Sequence, residues 1–440
     1  MKIILSNVCE VENHEKINQD LMSRLTIVNP AYLDAQKYGR YLMKIEPQLY
    51  YYDKRASSMI IPRGCIKLVQ GLCQKYGIVP EIIDQRTLQK EVSFPFSGDL
   101  RDYQKQAVED IHTDSQGVLE AGTGAGKTVI ALAVVAARKQ PTLILVHTIE
   151  LLHQWRDRIQ EFMGIEAGQI GDKKKTIHPL TVATVHSAKG ILPDLNDKFG
   201  QLIVDEAHKT PSTTFSTCAK AFECKYMLGL TATPFRRDKL DKLIFWSIGE
   251  VIHKVDSQNL REQGSILKPE IICRETNFEY NFQEDWQGLM KAIINDENRN
   301  MLIAHDIAAQ NGGVNLICSD RIDHLHNLEK LVHCDGKAIL TGSTKKKERE
   351  EISRRLKEGT IKNLFSTSQF IGEGIDYPEL TNLFLVTPTR FDGKILQIVG
   401  RILRPMEGKP QPKVFDHMDV RQPVLNHQAT QRMNTYKQIT

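Results

Sequence analysis

Short apolar runs alternate with longer amphipathic stretches from about residue 100 onward. Residues 142–146, 201–204 and 226–230 are apolar at nearly every position. Strands of this kind are typical of a parallel sheet covered by helices on both faces, because neither face of the strand meets water. Their alternation with helical stretches predicts an α/β unit.

The same alternation begins again after about residue 265, where VNLIC, AILTG, NLFST and NLFLV are candidate strands. The pattern therefore predicts two α/β units in tandem. Between them, residues 236–268 are rich in charge and contain Gly249 and Gly264. This composition indicates a connector that packs against one or both units.

The first part of the chain, up to about Phe94, lacks this alternation. This region ends at Pro95, Gly98 and Asp99, which would interrupt any helix there. We therefore expect three domains, which are a small α+β accessory domain at residues 1–94, an α/β domain at 95–262 and a second α/β domain at 263–440.

The composition is that of a folded protein and does not indicate a particular binding partner. The chain has 440 residues, of which 41% are hydrophobic and 25% charged, a balance typical of folded domains. Its net charge of +4 is too small to indicate a nucleic-acid partner. The eight cysteines form no C-x-x-C pair, which favours free thiols in a reducing compartment over a zinc site. No apolar run approaches the ~20 residues of a membrane helix, so we expect a soluble cytoplasmic protein without a membrane partner.

The stretch AGTGAGKT, residues 121–128, carries the first chemical signal. It follows an apolar run and precedes a helical stretch, which is the context of a phosphate-binding loop. Glycines allow the backbone amides of a helix N-terminus to wrap closely around an anion. Lys127 would reach the β- and γ-phosphates, and the Thr128 hydroxyl would bind magnesium. A flexible turn ahead of an ordinary helix is the alternative, because Ala121 stands where the general pattern has glycine.

Two carboxylates, Asp205 and Glu206, come directly after the apolar run 201–204. Ligands of open parallel sheets bind at the carboxyl ends of the strands. One carboxylate there can hold magnesium, and the other can orient or activate the attacking water. Alone, the pair would indicate an exposed loop, but together with the phosphate-binding loop it predicts an ATP-hydrolysing site.

The second α/β unit contains ILQIVGRILRP. On a helix over residues 394–403, the spacing of Gln397, Arg401 and Arg404 by four and three positions predicts that they share one face. Exposed arginines usually form a solvated surface. Two arginines from a second domain can instead act as arginine fingers on a nucleotide, with rate effects of about 10³–10⁵. Closure and reopening of such a site would convert ATP hydrolysis into movement.

The segments AGTGAGKT, DEAH, LTATP, STSQFIGEGIDYP and QIVGRILRP occur in the order found in superfamily two helicases and translocases. The chain resembles this superfamily from about residue 96 to residue 415. Within it, the chain is most similar to the DNA-dependent ATPases of the XPB, UvsW and restriction-enzyme translocase group. Ala121 is common in motif I of the superfamily. The resemblance implies a DEAH-type ATP hydrolase with two RecA-like domains and the cofactors ATP and Mg²⁺.

The resemblance also implies roles for single residues around the nucleotide. Gln104, with Arg101 nearby, would recognise adenine. Asp205 would bind the metal together with Thr128, and Glu206 would position the catalytic water. The nucleotide would be surrounded by Gly122, Thr123, Gly124, Ala125, Gly126, Lys127, Thr128, Gly374, Asp376, Gln397, Arg401 and Arg404. Coupling to the nucleic acid would pass through His208, Thr231 and Thr233.

A second set of residues would contact a nucleic-acid strand, again by position in the family. These residues are Thr148, Glu150, Thr184, His186, Thr341, Gly342 and Thr367. Hydroxyls and backbone amides at loop ends contact phosphates without reading sequence. Lys345–Lys347 follow one of these loops and would add phosphate contacts, whereas the other triple-lysine run, Lys173–Lys175, has no such position. A solvated surface is the alternative for both runs.

Residues 1–94 carry no catalytic motif but interleave aromatic side chains with basic ones. The tyrosines at 50–52 are followed by Lys54, Arg55 and Arg63. Such interleaving can stack bases and neutralise phosphates, although aromatic residues also build ordinary cores. The placement resembles the small DNA-engaging domain ahead of the motor in XPB and UvsW, so we expect a DNA-recognition module.

These features together predict an ATP-dependent DNA helicase or translocase that unwinds or remodels single-stranded, duplex or forked DNA. Its place would be with the nucleoid if the host is a prokaryote or a phage. Three alternatives stay open: a duplex translocase serving a restriction or defence nuclease on another chain, an RNA helicase, and a nucleotide-switched clamp. No nuclease motif is visible in the sequence, so cutting would need a partner.

Overall fold

The computed structural model describes residues 1–37, 39, 41, 45–122, 124–209, 213–232, 241–256, 260, 266–372, 377–388 and 392–437. The chain forms two compact units. The first consists of Met1–Ala121 and Gly126–Val255, and the second of Gly122–Ala125 and Asp256–Thr440.

The N-terminal part of the first unit is built on a five-stranded mixed sheet of order β5-β6-β2-β1-β7 and a separate antiparallel pair of strands, β3 and β4. Ile3, Leu5, Cys9 and Val11 alternate with more exposed residues along β1 and β2, so one face of this sheet is buried. This architecture confirms the predicted α+β class. The strands are β1 Lys2–Leu5, β2 Val8–Glu12, β3 Thr26–Val28, β4 Gln48–Tyr50, β5 Asp53–Lys54, β6 Ser58–Pro62 and β7 Glu81–Asp84, and the helices are α1 Asn18–Arg24, α2 Pro30–Lys37 and α3 Ile66–Lys75.

An eight-stranded sheet of order β11-β10-β12-β9-β13-β14-β8-β15 follows. Its described strands pair in parallel, except for the β10-β11 hairpin. The strands are β8 Gln116–Glu120, β9 Thr142–Val146, β10 Gly168–Gly171, β11 Lys174–Thr176, β12 Leu180–Thr184, β13 Gln201–Val204, β14 Tyr226–Thr231 and β15 Val251–Lys254. The helices are α4 Asp102–Thr113, α5 Lys127–Arg138, α6 Ile149–Met163, α7 Val185–Lys189, α8 Thr213–Ala221 and α9 Lys242–Ile248.

Within the connector predicted at residues 236–268, residues 242–254 pack against the first unit as predicted, but they are regular elements of its α/β fold and not a linker. Residues 242–254 form helix α9 and the edge strand β15, which pairs in parallel with β8. Ile244 and Ile248 of α9 are fully buried in the core of this sheet. The apolar positions of α9 therefore outweigh the local charge that suggested a linker.

The second unit contains a six-stranded, all-parallel sheet of order β16-β21-β20-β17-β19-β18 in its described residues. At its centre the rings of Phe384 and Phe415 stack with centroids 4.4 Å apart. The strands are β16 Glu270–Glu275, β17 Val314–Ser319, β18 Lys337–Leu340, β19 Asn363–Thr367, β20 Leu380–Leu385 and β21 Lys413–Met418. The helices are α10 Trp286–Asn295, α11 Glu297–Ala308, α12 Ile322–Leu331, α13 Lys346–Lys357, α14 Ser368–Gly372, α15 Asp392–Ile402 and α16 Pro423–Tyr436.

Two parallel α/β sheets confirm the predicted fold class. Their central strands are the continuous apolar runs of the sequence, and both faces of each strand are buried. None of the helices in the described ranges has both the length and the apolar composition that a bilayer-spanning helix needs.

Within the first unit, the core of the N-terminal sheet includes Leu243 and Trp246 of α9, and Arg63 lies at the junction with the eight-stranded sheet. Its side chain is buried and donates hydrogen bonds to Gln116 Oε1 at 2.9 Å and to the carbonyl oxygens of Cys224 and Lys225 at 3.1 and 3.3 Å. The interpretation of Arg63 as a surface cation for DNA is therefore wrong. Its guanidinium joins the N-terminal sheet to the loop before β14.

Candidate nucleotide site and nucleic-acid face

The strands β13, β14 and β8 are neighbours in the first unit and run in parallel, so their carboxyl ends meet at one edge. The acid pair follows β13, Thr231 ends β14, and α5 begins after the loop that follows β8. The backbone amide of Ala121 donates to the carbonyl of Thr231 at 2.9 Å, which ties two of these ends together. The edge is where ligands of open parallel sheets bind.

The N-terminus of α5 has the geometry of a phosphate-binding site. Gly126 precedes the helix with φ +77°, a left-handed conformation that favours glycine. The ammonium group of Lys127 donates to the carbonyl of Ala121 at 2.9 Å, and Thr128 is half-buried beside it. Gly122, Gly124 and Ala125 belong to the loop ahead of this helix, with Gly124 at φ +89°. Thr123 lies outside the described residues.

Gln104 and Arg101 lie at the start of α4. Gln104 is buried, and its Oε1 accepts the backbone N–H of Arg101 at 3.0 Å in a capping box. Its Nε2 lies 2.4 Å from the position that a Cβ on Gly126 would occupy. Gln104 is thus packed against the residue that precedes the phosphate-binding helix. Its predicted recognition of adenine stays a prediction.

Asp205 is the buried acid of the site. Its Oδ2 accepts the indole N–H of Trp155 at 2.8 Å, and its Oδ1 accepts the backbone N–H of Glu206 at 2.9 Å. Burial, and then the neighbouring carboxylate of Glu206, raise the pKa of Asp205 to about 6, while Lys127 favours its charged form. Ionisation of this buried carboxylate is costly on its own, and a bound cation would offset that cost. Asp205 is therefore suited to bind a cation.

The donor set around Asp205 fits magnesium. Carboxylate and hydroxyl oxygens, from Asp205 and Thr128, are hard ligands of the kind that Mg²⁺ prefers. Within the described residues, no group of three or more His, Cys, Asp or Glu side chains could hold a metal ion by itself. In the usual magnesium site of phosphoryl-transfer enzymes, one or two protein ligands share the ion with phosphates and water.

His208 joins the acid pair to the end of β14. Its Nδ1 lies 3.2 Å from Glu206 Oε2 and 3.4 Å from the hydroxyl of Thr231. Glu206 itself has φ +52°, a conformation that non-glycine residues rarely adopt. Through His208, a change at the Glu206 carboxylate can be transmitted to Thr231 at the end of β14. Thr233, predicted to take part in the same coupling, lies outside the described residues.

The predicted nucleic-acid residues of the first unit lie at the carboxyl ends of β9 and β12, next to the acid pair in the strand order. Thr148 caps α6, and its hydroxyl accepts the N–H of Leu151 at 3.2 Å. Glu150 lies in the first turn of the same helix. Thr184 caps α7 and is buried, whereas His186 is exposed. The two sets of predicted residues therefore occupy one edge of one sheet.

In the second unit, Thr341 and Gly342 follow β18, and Thr367 ends β19. The Thr341 hydroxyl is buried and contacts Ser343 Oγ at 2.9 Å, so Gly342 is the exposed residue of this pair. Arg349 of α13 donates to the carbonyl of Gly342 at 2.9 Å, which fixes the loop. The backbone of this loop is therefore better placed for a phosphate contact than the Thr341 side chain.

Helix α15 differs from its prediction at its end. It ends at Ile402, so Gln397 and Arg401 are helical but Arg404 follows the helix and does not share its face. Pro405 accounts for this, because a residue before proline is disfavoured in the helical conformation. Gly374 and Asp376, the predicted motif V residues, lie outside the described residues.

Two functional candidates were not predicted from the sequence. Trp155 contacts Asp205, as described above. Lys409 donates from Nζ to the carbonyls of Pro378 and Arg404 at 2.8 and 2.9 Å, and burial lowers its pKa to about 8. The Trp155–Asp205 and Lys409–Pro378 contacts join positions 50 and 31 residues apart, and no local sequence pattern marks Trp155 or Lys409.

Comparison with known proteins places these features in a family. Residues 97–236 match the family model described as "Type III restriction enzyme, res subunit", and residues 294–406 match "Helicase conserved C-terminal domain". The chain is 29% identical over 378 residues to "DNA 3'-5' translocase XPB2" of Sulfurisphaera tokodaii, covering 75% of this chain and 85% of that protein. It is also 29% identical over 371 residues to "Putative ATP-dependent RNA helicase L396" of Acanthamoeba polyphaga mimivirus, covering 78% and 68%.

A solved structure shares the fold. It is "ATP-dependent Type ISP restriction-modification enzyme LlaBIII bound to DNA", with a TM-score of 0.59 and 16% identity over 78% of this chain and 30% of that one. The matches to the two family models and to the translocase and helicase relatives agree with the five motifs of the sequence and the two parallel sheets. These matches support the assignment of the chain to the superfamily two helicases.

Proposed function

We propose that this protein is a magnesium-dependent ATPase that moves along DNA and unwinds or remodels it. The observation that carries the proposal is the meeting of Lys127, the acid pair Asp205–Glu206 and Thr231 at one edge of the first-unit sheet. A phosphate-binding helix beside a metal-binding acid and a second carboxylate is the arrangement that ATP hydrolysis requires.

In this proposal the first unit binds and polarises the triphosphate. The N-terminus of α5 and the Lys127 ammonium stabilise the negative charge of the phosphates. Thr128 and Asp205 would hold the magnesium, which neutralises charge on the β- and γ-phosphate oxygens when bound. Glu206 orients the attacking water, and its contact with His208 connects hydrolysis to β14.

Arg401 and Arg404 of the second unit supply positive charge that stabilises the negative charge of the transition state. They act as arginine fingers on the transferred phosphoryl group, with Gln397 beside them, and Gly374 and Asp376 contact the nucleotide. The domain division at residues 94 and 262 belongs to the same proposal. It assigns the phosphate-binding residues to one RecA-like domain and the arginines to the other.

The nucleic-acid contacts are proposed for the loops that carry Thr148, Glu150, Thr184 and His186, and for Thr341, Gly342 and Thr367 in the second unit. Contacts to phosphate rather than to base edges let a motor step along any sequence. The relative from Sulfurisphaera tokodaii is named a 3'-5' translocase, and we propose the same direction for this protein.

The N-terminal part of the first unit is proposed as a DNA-recognition module whose contact face includes Tyr50 of β4, Lys54 of β5 and Arg55. These residues are exposed, in contrast to the buried Arg63. Their replacement by alanine in the full chain should weaken binding to forked DNA by about tenfold, because stacking and phosphate contacts are lost. The exposed lysines Lys67 and Lys75 on α3 provide the control. If both sets of replacements leave forked-DNA affinity unchanged, the module has another role.

A second candidate is a duplex translocase that separates no strands and serves a nuclease on another chain. The match of residues 97–236 to a restriction-enzyme subunit favours it. ATP hydrolysis and strand separation measured with single-stranded, duplex and forked DNA and with RNA decide between the candidates. We expect stimulation by DNA and unwinding of tailed substrates.

The other outcomes of this experiment identify the alternatives. Stimulation by duplex DNA without unwinding would support the duplex translocase. Stimulation by RNA alone would overturn the DNA assignment, and nucleic-acid binding that responds to ATP without stimulated turnover would indicate a switched clamp.

A further inference from the structure

Trp155 lies in the middle of α6 and reaches the acid pair of the neighbouring strand. The helix follows β9, and β9 pairs in parallel with β13, whose end carries Asp205. The indole of Trp155 is 2% exposed, and its N–H donates to Asp205 Oδ2 at 2.8 Å. An indole nitrogen can only donate, so the bond requires the carboxylate as acceptor.

The bond does more than complete a core. Packing alone could be met by a phenylalanine, which has no polar atom to satisfy. Here the two oxygens of Asp205 each accept one donor from a rigid element, Oδ2 from the indole and Oδ1 from the backbone N–H of Glu206. Two fixed donors hold the plane of the carboxylate, and each oxygen keeps a further lone pair for another partner.

We propose that Trp155 is a positioning residue that orients the Asp205 carboxylate toward magnesium. The proposal rests on the proposed function, in which Asp205 and Thr128 hold that ion. Outer groups that orient metal ligands commonly change metal affinity by about 10- to 100-fold when they are removed. The indole N–H is such a group, because it contacts the ligand and not the ion.

The test measures metal-dependent nucleotide binding with the full-length protein. ADP affinity is determined by calorimetry with Mg²⁺ and with EDTA, for the wild type and for Trp155→Phe. We expect the Mg²⁺-dependent gain in affinity to fall about tenfold in Trp155→Phe, while the affinity in EDTA stays unchanged. Trp286→Phe, a partly buried tryptophan of α10 in the second unit, is the matched control and should keep both affinities.

A double-mutant cycle separates positioning from packing. In an Asp205→Asn background, Trp155→Phe should cause no further loss of the Mg²⁺-dependent gain, because the oriented carboxylate is already absent. A loss of the same size in both backgrounds would overturn the proposal. A wild type with a clear Mg²⁺-dependent gain that Trp155→Phe retains would also overturn it. Absence of that gain in the wild type itself would instead count against the magnesium site of the proposed function.

A measurement on the unaltered side chain covers the case in which Trp155→Phe does not fold. The chain has three tryptophans, so its ¹H–¹⁵N spectrum contains three indole signals, which Trp246→Phe and Trp286→Phe assign by elimination. Addition of Mg²⁺ to the ADP-bound protein should move the Trp155 signal, since the acceptor of its N–H then shares its charge with the ion. An unmoved signal, with Mg²⁺ binding shown by calorimetry, would contradict the proposal.

Discussion

The side-chain amide of Gln104 occupies the space next to Gly126 that any larger residue would need. A Cβ on Gly126 would stand 2.4 Å from Gln104 Nε2, and Gly126 has φ +77°. Gln104 cannot move away without cost, because it is buried and bonded to the N–H of Arg101. The start of α4 therefore packs tightly against the start of the phosphate-binding helix α5, and a glycine at position 126 is needed for this packing.

Gly126→Ala should disturb the nucleotide site by displacing Gln104 or the start of α5. We expect nucleotide affinity to fall on the order of tenfold to a hundredfold, measured by calorimetry with ADP. Gly77→Ala is the control, since Gly77 has a similar φ of +65° with nothing within 4 Å of its Cβ position. It should lose about 1 kcal/mol of stability and no nucleotide affinity. Equal nucleotide affinity in both variants would show that the contact is unimportant.

Arg63 should stabilise the junction between the N-terminal sheet and the eight-stranded sheet. Arg63→Met removes the Arg63 hydrogen bonds to the carbonyls of Cys224 and Lys225 and leaves Gln116 Oε1 with Arg86 as its remaining donor. We expect a loss of about 3 kcal/mol in the free energy of unfolding, measured with urea. Arg55→Met, at a side chain 57% exposed, should change it by less than about 0.5 kcal/mol. Similar values for the two variants would refute the structural role of Arg63.

The second unit should lose stability in mild acid through His324. This side chain is fully buried between Ser319 and Asn300, and burial lowers its pKa to about 3. The unfolded chain, with an ordinary histidine pKa near ~6.5, binds the proton more readily between these values, so stability falls as the pH drops below about 6.5. At about pH 5.5, one unit below that value, His324 lowers the free energy of unfolding by about 1.4 kcal/mol.

The measurement compares urea unfolding of the second unit at pH 7.5 and pH 5.5. His324→Gln should show a smaller difference between the two pH values than the wild type, because the other histidines contribute equally to both proteins. His305→Gln, at a side chain 76% exposed, should keep the wild-type difference. An unchanged difference in His324→Gln would show that another group causes the acid sensitivity.

The two triple-lysine runs should differ in their effect on DNA binding. Lys345 caps α13 and Lys346 and Lys347 begin it, directly after the loop of Gly342. Replacement of all three by alanine should lower the slope of log affinity against log salt concentration by about 2 to 3, one unit for each lost phosphate contact. The exposed run Lys173–Lys175, in which Lys175 pairs with Asp194 at 2.8 Å, is the control and should leave the slope unchanged. An identical slope for both triple variants would rule out the contact.

The sequence predicts best what depends on neighbouring residues. The buried parallel strands are visible because each is a continuous apolar run, and the phosphate-binding helix is visible because its glycines and lysine stand together. Contacts that the topology creates are not visible in this way. Trp155 and Asp205 are 50 positions apart and meet only because β9 and β13 are adjacent. The burial of Arg63 likewise depends on how the N-terminal sheet packs.

Local patterns also fail where two signals compete. Charge around α9 suggested a linker, yet its apolar positions place the helix in the core. The spacing of Gln397, Arg401 and Arg404 suggested one helical face, yet Pro405 ends the helix before Arg404. In the first case the apolar positions of the helix outweigh the local charge, and in the second a proline outweighs the helical spacing.

Residues of both units are proposed to act on one triphosphate, and single-turnover ATP hydrolysis in the presence of DNA tests this most directly. Lys127 belongs to the first unit and Arg401 to the second. With ATP binding measured separately, Arg401→Ala should bind ATP nearly as well as the wild type but hydrolyse it about 10³-fold more slowly. Hydrolysis by Arg401→Ala at the wild-type rate, alongside a Lys127→Ala variant that is inactive, would contradict the two-unit mechanism.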